Sequence, residues 1–377
     1  AIGATWPENG IAVTMNRAIP ASSSCDAQKG IRASTESVGD RLEVGEDRAV
    51  RHLRFTRPCQ AGRMAGSSTQ IPASVTDDIR RLIADAGIDA DQDLIARILA
   101  TGVGLGLDDT DRLDLKITSA ALTEMRAAFA LFAPFRGIPK ATIFGSARTR
   151  PDDELYRAAA AAAHALADQG WMVVTGAGPG IMQAAAEGAG PEHSIGVSIR
   201  LPFEEKPNAV IAKNSRNVAM KYFFTRKLML VKESQAFICV PGGFGTLDEM
   251  FELLTLQQTG KAEPTPIVLL DRPGGTFWAG LERFVDEQLV ASGVISPVDF
   301  DRVLVTDSVD AAVAEITGFY RNFDSLRWVK DRLVLRLHAE PTPAELDDLN
   351  ARFGDLLVDG RIEATAPLRA EERDDDR

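Results

Sequence analysis

The stretch Ala236-Phe237-Ile238-Cys239-Val240-Pro241-Gly242-Gly243-Phe244-Gly245-Thr246-Leu247-Asp248-Glu249 decides the fold. Its first five residues are apolar without alternation, the pattern of a strand covered on both faces. Gly242, Gly243 and Gly245 then free the backbone to wrap an anion, and apolar residues resume at helical spacing after Thr246. Thr246 is placed to cap that helix and to donate to phosphate, with Glu249 on the first turn. A covered strand, a glycine turn and a helix in succession are the parts of a parallel α/β sheet.

Outward from this stretch the same alternation continues. Apolar runs at 141–144, 171–175, 195–199, 236–240, 267–270 and 303–305 read as strands, and 152–168, 181–187, 220–232, 247–259, 277–291 and 309–319 read as helices between them. The expectation is α/β: a Rossmann-like, doubly wound parallel sheet over 140–325 with an N-terminal helical extension. In such sheets ligands bind where the strands end, so the residues just after each strand matter most.

Two more of those positions carry glycine. Gly145-Ser146-Ala147-Arg148 follows the first strand, where Gly145 allows close approach and Ser146 supplies a hydroxyl; a structural turn is the equal alternative. Thr175-Gly176-Ala177-Gly178-Pro179-Gly180 leads straight into a helix whose unpaired N–H groups favour an anion or sugar hydroxyls. A dinucleotide fingerprint belongs on the first turn, which lacks its spacing, so a hydride-transfer cofactor is disfavoured. The third turn has no Walker lysine, which argues against triphosphate hydrolysis.

Upstream of the decisive strand lies Met220-Lys221-Tyr222-Phe223-Phe224-Thr225-Arg226-Lys227-Leu228-Met229-Leu230, read as a helix. Arg226 and Lys227 near a helix end are ordinarily solvated or dipole-complementing charges. For Glu249 the plain alternative is a carboxylate capping its own helix. Phe244, Phe223 and Met220 could stack on a base, although such residues at this spacing more often belong to a core.

Arg226-Lys227, a strand, then PGGFGTLDE is similar to the pattern of the Lonely Guy family of nucleotide phosphoribohydrolases, formerly labelled lysine decarboxylases. Arg226 stands 23 residues before Glu249, which fits the family's arginine and PGGxGTxxE arrangement, and the resemblance runs from about Lys140 to Phe319. Ile199-Arg200-Leu201-Pro202-Phe203-Glu204 and Asn208 look like the longer bacterial branch. The resemblance implies hydrolysis of the N-glycosidic bond of a nucleoside 5′-monophosphate, AMP-like or a cytokinin riboside monophosphate, to free base and ribose 5-phosphate. It implies Glu249 and Arg226 as catalytic residues. Gly242, Gly243, Gly245, Thr246, Gly145, Ser146, Gly176, Gly178, Gly180 and Lys227 would bind substrate. It further implies a homodimer or larger homo-oligomer, and neither metal nor cofactor. The alternative on the same fold is a non-enzymatic carrier of a nucleotide or a molybdopterin-type cofactor. A decarboxylase would need a lysine Schiff base, and no lysine is singled out for one.

The flanks are plainer. Residues 1–75 mix Gly, Ser, Arg and Pro without periodicity and read as a disordered or non-native leader, with a true start at Met64 as an equal reading. Residues 76–139 form a helical arm expected to begin at Thr76-Asp77-Asp78, and 326–377 a C-terminal extension with an acidic tail. The chain has 54 acidic against 42 basic side chains, a formal charge of −12, which disfavours nucleic acid and a DNA-binding reading. Four scattered histidines and three cysteines without a CxxC pair support neither zinc nor a disulfide framework. No apolar run approaches membrane-spanning length, and the expected compartment is the cytoplasm.

Overall fold

The computed structural model describes residues 11–16, 70–201, 207–329, 332–357, 359–366 and 368. Within the span read as an unstructured leader, Ile11–Asn16 form a strand, β1. Among the described residues, those from 70 to Leu115 form one compact unit and the remainder another. That division falls inside a helix.

The first unit holds α1 (Ala73–Asp85), α2 (Gln92–Leu107) and the start of α3 (Arg112–Phe132). Helix α1 begins before the expected Thr76 cap, directly after Pro72, which takes the N-cap position with an extended ψ of 140° and no side-chain cap. It buries Ile79 and Ile83, whereas no residue of α2 is buried.

From Lys116 onward, α3 belongs to the second unit and buries Ala121, Glu124, Ala128 and Phe132, one face at helical spacing. There follow β2 (Lys140–Phe144), α4 (Glu154–Asp168), β3 (Met172–Thr175), α5 (Ile181–Ala189), β4 (Ser194–Ile199) and β5 (Asn217–Met220). The second half is α6 (Phe223–Lys232), β6 (Ala236–Cys239), α7 (Phe244–Gln258), β7 (Ile267–Leu270), α8 (Phe277–Phe284), β8 (Val303–Thr306) and α9 (Val309–Phe319). Strands β2 to β8 make one parallel sheet in the order β5-β4-β3-β2-β6-β7-β8. The expected doubly wound α/β fold is present.

Side chains from successive strand positions feed two cores. Ala141, Ile143, Val173, Ala236, Ile238 and Val268 meet α4, α5 and α9 on one face. Phe144, Val174, Val197, Phe237, Cys239 and Leu269 meet α3, α6, α7 and α8 on the other. The alanine run of α4 has a reason: α5 approaches so closely that a Cβ on Gly188 would collide with the Ala160 carbonyl. Only small side chains permit that contact.

One strand departs from the sequence reading, which carried the helix back to Met220. Asn217–Met220 is instead β5, an edge strand with Val218 and Met220 buried and the alternate residues half-buried. Its four residues are too few to show period two against the helical pattern that follows.

Beyond α9, β9 (Phe323–Val329), β10 (Arg332–Leu337), α10 (Pro343–Phe353) and β11 (Glu363–Thr365) build a second sheet with β1, in the order β11-β1-β10-β9. Strand β1 runs antiparallel to both neighbours, Ile11 opposite Leu337 and Ala12 opposite Thr365. The acidic residues at 371–376 lie outside the described residues.

Candidate active site

The chain leaves β2 toward β5 on one side of the sheet and returns to β6, beside β2, to build the other. The strand order therefore reverses between β2 and β6, and the crevice beyond their carboxyl ends is where a doubly wound sheet receives its ligand. Gly145-Ser146 closes β2, and Pro241-Gly242 lies just beyond β6.

Three glycine turns interlock there. The Ile181 N–H donates to the Ser146 carbonyl at 3.0 Å, tying the second turn to the first. Gly180 holds φ at +66°, and a Cβ on it would collide with the Ser146 carbonyl. A Cβ on Gly145 would fall 2.6 Å from Ile181 Cγ2, and one on Gly242 would lie 3.0 Å from the Ser146 nitrogen. Gly145, Gly180 and Gly242 thus let the turns pack together. Gly243 and Gly245 differ: both are exposed, and a Cβ on either meets open space.

Helix α7 starts at Phe244 with Gly243 in the N-cap position and no side-chain cap. Thr246 is therefore not the cap; it lies on the first turn, 6% exposed, with its hydroxyl packed against Gly242. Glu249 correspondingly sits on the second turn, too far along to cap the helix, so a capping role does not explain its carboxylate. The first-turn N–H groups of an α-helix lack partners within it, and here they surround two exposed glycines.

Arg226 and Glu249 meet. Nη1 of Arg226 lies 3.9 Å from Oε1 of Glu249, with only 12% and 7% of the two side chains exposed. The guanidinium is aimed by a 3.0 Å hydrogen bond from its Nε to the carbonyl of Val197 in β4. Gly176 passes so close that any Cβ there would overlap Nη2, which makes this glycine the floor of the arginine slot. Oε2 of Glu249 is buried and finds no hydrogen-bond partner among the described residues.

Burial pushes the Glu249 carboxyl up to about 7; Arg226 and Lys227 pull it down, and Asp248 and Glu252 push it further up. Arg226 is drawn below its ordinary value by burial, with Glu249 acting in the opposite sense. The carboxyl is thus poised between its two protonation states near neutral pH, as a group that both takes and returns a proton needs to be.

Lys227, expected among the substrate-binding residues, is engaged by two carboxylates of α7. Its Nζ lies 3.1 Å from Asp248 Oδ2 and 2.5 Å from Glu252 Oε2, bridging α6 to α7 beside the Arg226–Glu249 pair. Burial works to lower its pKa, and the bonds to Glu252 and Asp248 outweigh that and raise it.

Of the base-stacking candidates, Met220 is fully buried in the core, while Phe223 and Phe244 are 56% and 92% exposed. Asn208 secures the second turn: its amide donates to the Gly178 carbonyl at 3.1 Å and its N–H to the Ala177 carbonyl at 2.8 Å. Glu124, on α3, was not signalled by the sequence; it accepts bonds from Lys221, just before α6, and from Thr225 in its first turn. His164 is exposed and pairs with Asp168, and Cys239 is a buried free thiol. Cavities of about 260 Å³ beside Phe129 and Lys232 and about 650 Å³ beside Leu335 and Leu349 include none of the site residues. Among the described residues no cluster of metal-binding side chains occurs, and no helix is long and apolar enough to cross a membrane.

Residues 180–316 match the family described as "Possible lysine decarboxylase". A cytokinin riboside 5′-monophosphate phosphoribohydrolase of Mycobacterium marinum is 31% identical over 173 residues, which is 45% of this chain and 87% of the relative. A protein of the same description from Mycobacterium tuberculosis is 32% identical, over 42% of this chain and 84% of the relative. One from Arabidopsis thaliana is 29% identical, over 41% and 69%. Among solved structures, the molybdenum cofactor binding protein of Rippkaea orientalis aligns with a TM-score of 0.34 at 19% identity, covering 48% of this chain and 97% of that one.

Proposed function

Since this chain belongs to the Lonely Guy family of nucleotide phosphoribohydrolases, we propose that it hydrolyses the N-glycosidic bond of a nucleoside 5′-monophosphate, with AMP or an N6-prenylated AMP as substrate. The observation that carries the reading is the buried Glu249 carboxylate, one oxygen facing Arg226 and the other without a hydrogen-bond partner among the described residues, at the strand-order reversal. A buried carboxylate left half unpaired costs stability, and that cost is characteristic of a functional group.

In this reading the 5′-phosphate sits on the first-turn N–H groups of α7, with Gly243 and Gly245 leaving room for it and Thr246 lending its hydroxyl. Ser146, Gly176 and Gly178 border the ribose. Glu249 Oε2 then lies against the anomeric carbon. Water attacks C1′ as the bond to the base breaks, the bonding pair departs with the base nitrogen, and the water proton passes to Glu249, which returns it to the base. The ionised carboxylate also steadies the oxocarbenium-like charge at C1′. Arg226 keeps enough of Glu249 ionised for this near neutral pH and faces Oε1 from 3.9 Å, so that Oε2 is the reacting atom. No metal or organic cofactor enters the scheme.

Phe223, Phe224 and Leu228 on α6, with Phe244 and Phe251 on α7, are exposed apolar residues beside the site. A homodimer formed over them is part of the reading, and solution mass tests it. The protein would act in the cytoplasm, where its substrates are found.

The experiment is incubation of purified protein with AMP, GMP, IMP, CMP, UMP and N6-prenylated AMP, with released base followed by chromatography. Free base and ribose 5-phosphate in equal amounts are expected, with nucleosides inert. Tight nucleotide binding without turnover, unchanged by Glu249→Gln, would make the protein a carrier.

A further inference from the structure

Helix α6, which presents Arg226, has no cap of its own: Tyr222 occupies its N-cap position and makes no side-chain capping bond. The corner in front of it is tied instead by an acceptor on α3, about a hundred residues upstream in sequence. Glu124 is 7% exposed, and its two oxygens divide the work. Oε1 accepts from the Lys221 N–H at 2.7 Å, and Oε2 accepts from the Thr225 hydroxyl, also at 2.7 Å. The same hydroxyl lies 2.9 Å from the Tyr222 carbonyl, but it has one proton, and a carboxylate is the stronger acceptor. Glu124 therefore closes the corner between β5 and α6 from both sides.

An anion at a helix N-terminus is favourable, yet a local Ser or Asp would supply it without burying a charge from another element. What the longer route adds is a fixed direction for α6. Thr225, held by Glu124 and fully buried, immediately precedes Arg226. The slot for that arginine is narrow: the Val197 carbonyl takes its Nε, and Gly176 leaves no space beside Nη2. A small tilt of α6 carries the guanidinium out of register with Glu249.

We propose that Glu124 is a positioning residue for the Arg226–Glu249 pair, fixing α6 so that the guanidinium stands at its working distance from the carboxylate. This rests on the hydrolase reading above. It extends the machinery of the site to α3, which lies outside the span of sequence that resembles the family.

The test compares Glu124→Ala, Glu124→Gln and Thr225→Val with wild type by kcat, KM, thermal midpoint and the titration of the Glu249 carboxyl. The titration is followed by ¹³C NMR of glutamate-labelled protein and assigned with Glu249→Gln, so it needs no turnover. Groups facing Glu249 are Arg226 and Lys227 from α6, Asp248 and Glu252 on its own helix, and the Cys239 thiol from β6. The α3 variants leave all of these groups chemically unchanged.

Glu124→Ala is expected to lower kcat tenfold or more with KM changed less than threefold. It should also raise the Glu249 titration midpoint by roughly 0.6 pH unit, the change when an opposite charge about 4 Å away retreats by about 1 Å. Glu124→Gln should restore both, because its amide oxygen still accepts from Lys221 and its N–H can donate to Thr225. Thr225→Val, which removes one arm, should shift both readouts in the same direction as Glu124→Ala, and it serves where the alanine variant does not fold. A lowered thermal midpoint with wild-type kcat and an unmoved titration would overturn the proposal. A wild-type protein that releases no base refutes the hydrolase reading alone, since the titration still reports whether Glu124 places Arg226.

Discussion

Replacing Glu249 by glutamine should cut turnover sharply and stabilise the protein, and the stabilisation should grow with pH. The carboxyl is raised from an ordinary 4.5 to about 7 by burial, with the α6 cations only partly opposing. Below pH 4.5 the group is protonated in the folded and unfolded chains alike and contributes nothing to the balance. Between 4.5 and 7 the unfolded chain ionises first, so folding loses free energy as pH rises, and the loss levels off above 7. Each pH unit between the two midpoints is worth about 1.36 kcal/mol, so the penalty grows by about 2.5 kcal/mol between pH 5 and pH 8. Glutamine does not titrate, so the variant's advantage over wild type should widen by that amount across the window, whatever its offset from altered packing. Denaturant unfolding at pH 5 and pH 8 reads it directly, while kcat at pH 7 should fall by about 10² to 10⁴. A difference that stays flat with pH, or narrows, would show that Glu249 is not held above its ordinary value. The acid–base role assigned to it would fall with that result.

Arg226→Met removes the opposite charge at 3.9 Å, so the Glu249 titration midpoint should rise further, by about 1 to 3 pH units. Turnover at pH 7 should drop at least about 100-fold; a retained pH–rate profile would separate the arginine from catalysis. Lys227→Met frees Asp248 and Glu252 beside Glu249 and should raise the midpoint less than Arg226→Met does, by about half a pH unit to one, with the KM for nucleotide little changed. A tenfold rise in KM would instead make Lys227 a phosphate ligand. Gly245→Ala meets open space in the fold, so its thermal midpoint should hold within about 2 °C. Its KM should rise roughly tenfold if the phosphate occupies that space, and an unchanged KM would move the phosphate elsewhere.

What the sequence discloses and what it hides follow from the reach of the interactions. Strands such as Ile267–Leu270 are buried on both faces, so unbroken apolar runs mark them without reference to neighbours. The glycine turns are equally legible, because close approach leaves one residue type. Harder to read is the start of α7: Thr246 has the chemistry of a cap, but Gly243 takes the position and the helix begins at Phe244. Strand β1 escapes because its partners, Leu337 and Thr365 among them, lie more than 300 residues away. Glu124 escapes for the same reason, since nothing near it in sequence shows that it will bind the corner between β5 and α6.

The two charge pairs between α6 and α7 have different physical jobs. Lys227 is opposed by two carboxylates at ordinary ion-pair distances, an arrangement that satisfies it and joins the helices. Arg226 stands 3.9 Å from its single carboxylate, beyond hydrogen-bond reach, with its strongest bond going to the Val197 carbonyl. A guanidinium forked onto Glu249 at closer range would hold the carboxyl well below neutrality and occupy both its oxygens, leaving a firm salt bridge and a poor base. The longer separation lets burial win and leaves the buried Oε2 without a hydrogen-bond partner among the described residues. Lys227 meanwhile offsets the charges of Asp248 and Glu252, which would otherwise drive Glu249 higher and leave it protonated at neutral pH. The adjacent cations of the Arg226-Lys227 pair thus act on Glu249 through separate routes, one by distance and one by neutralising its neighbours.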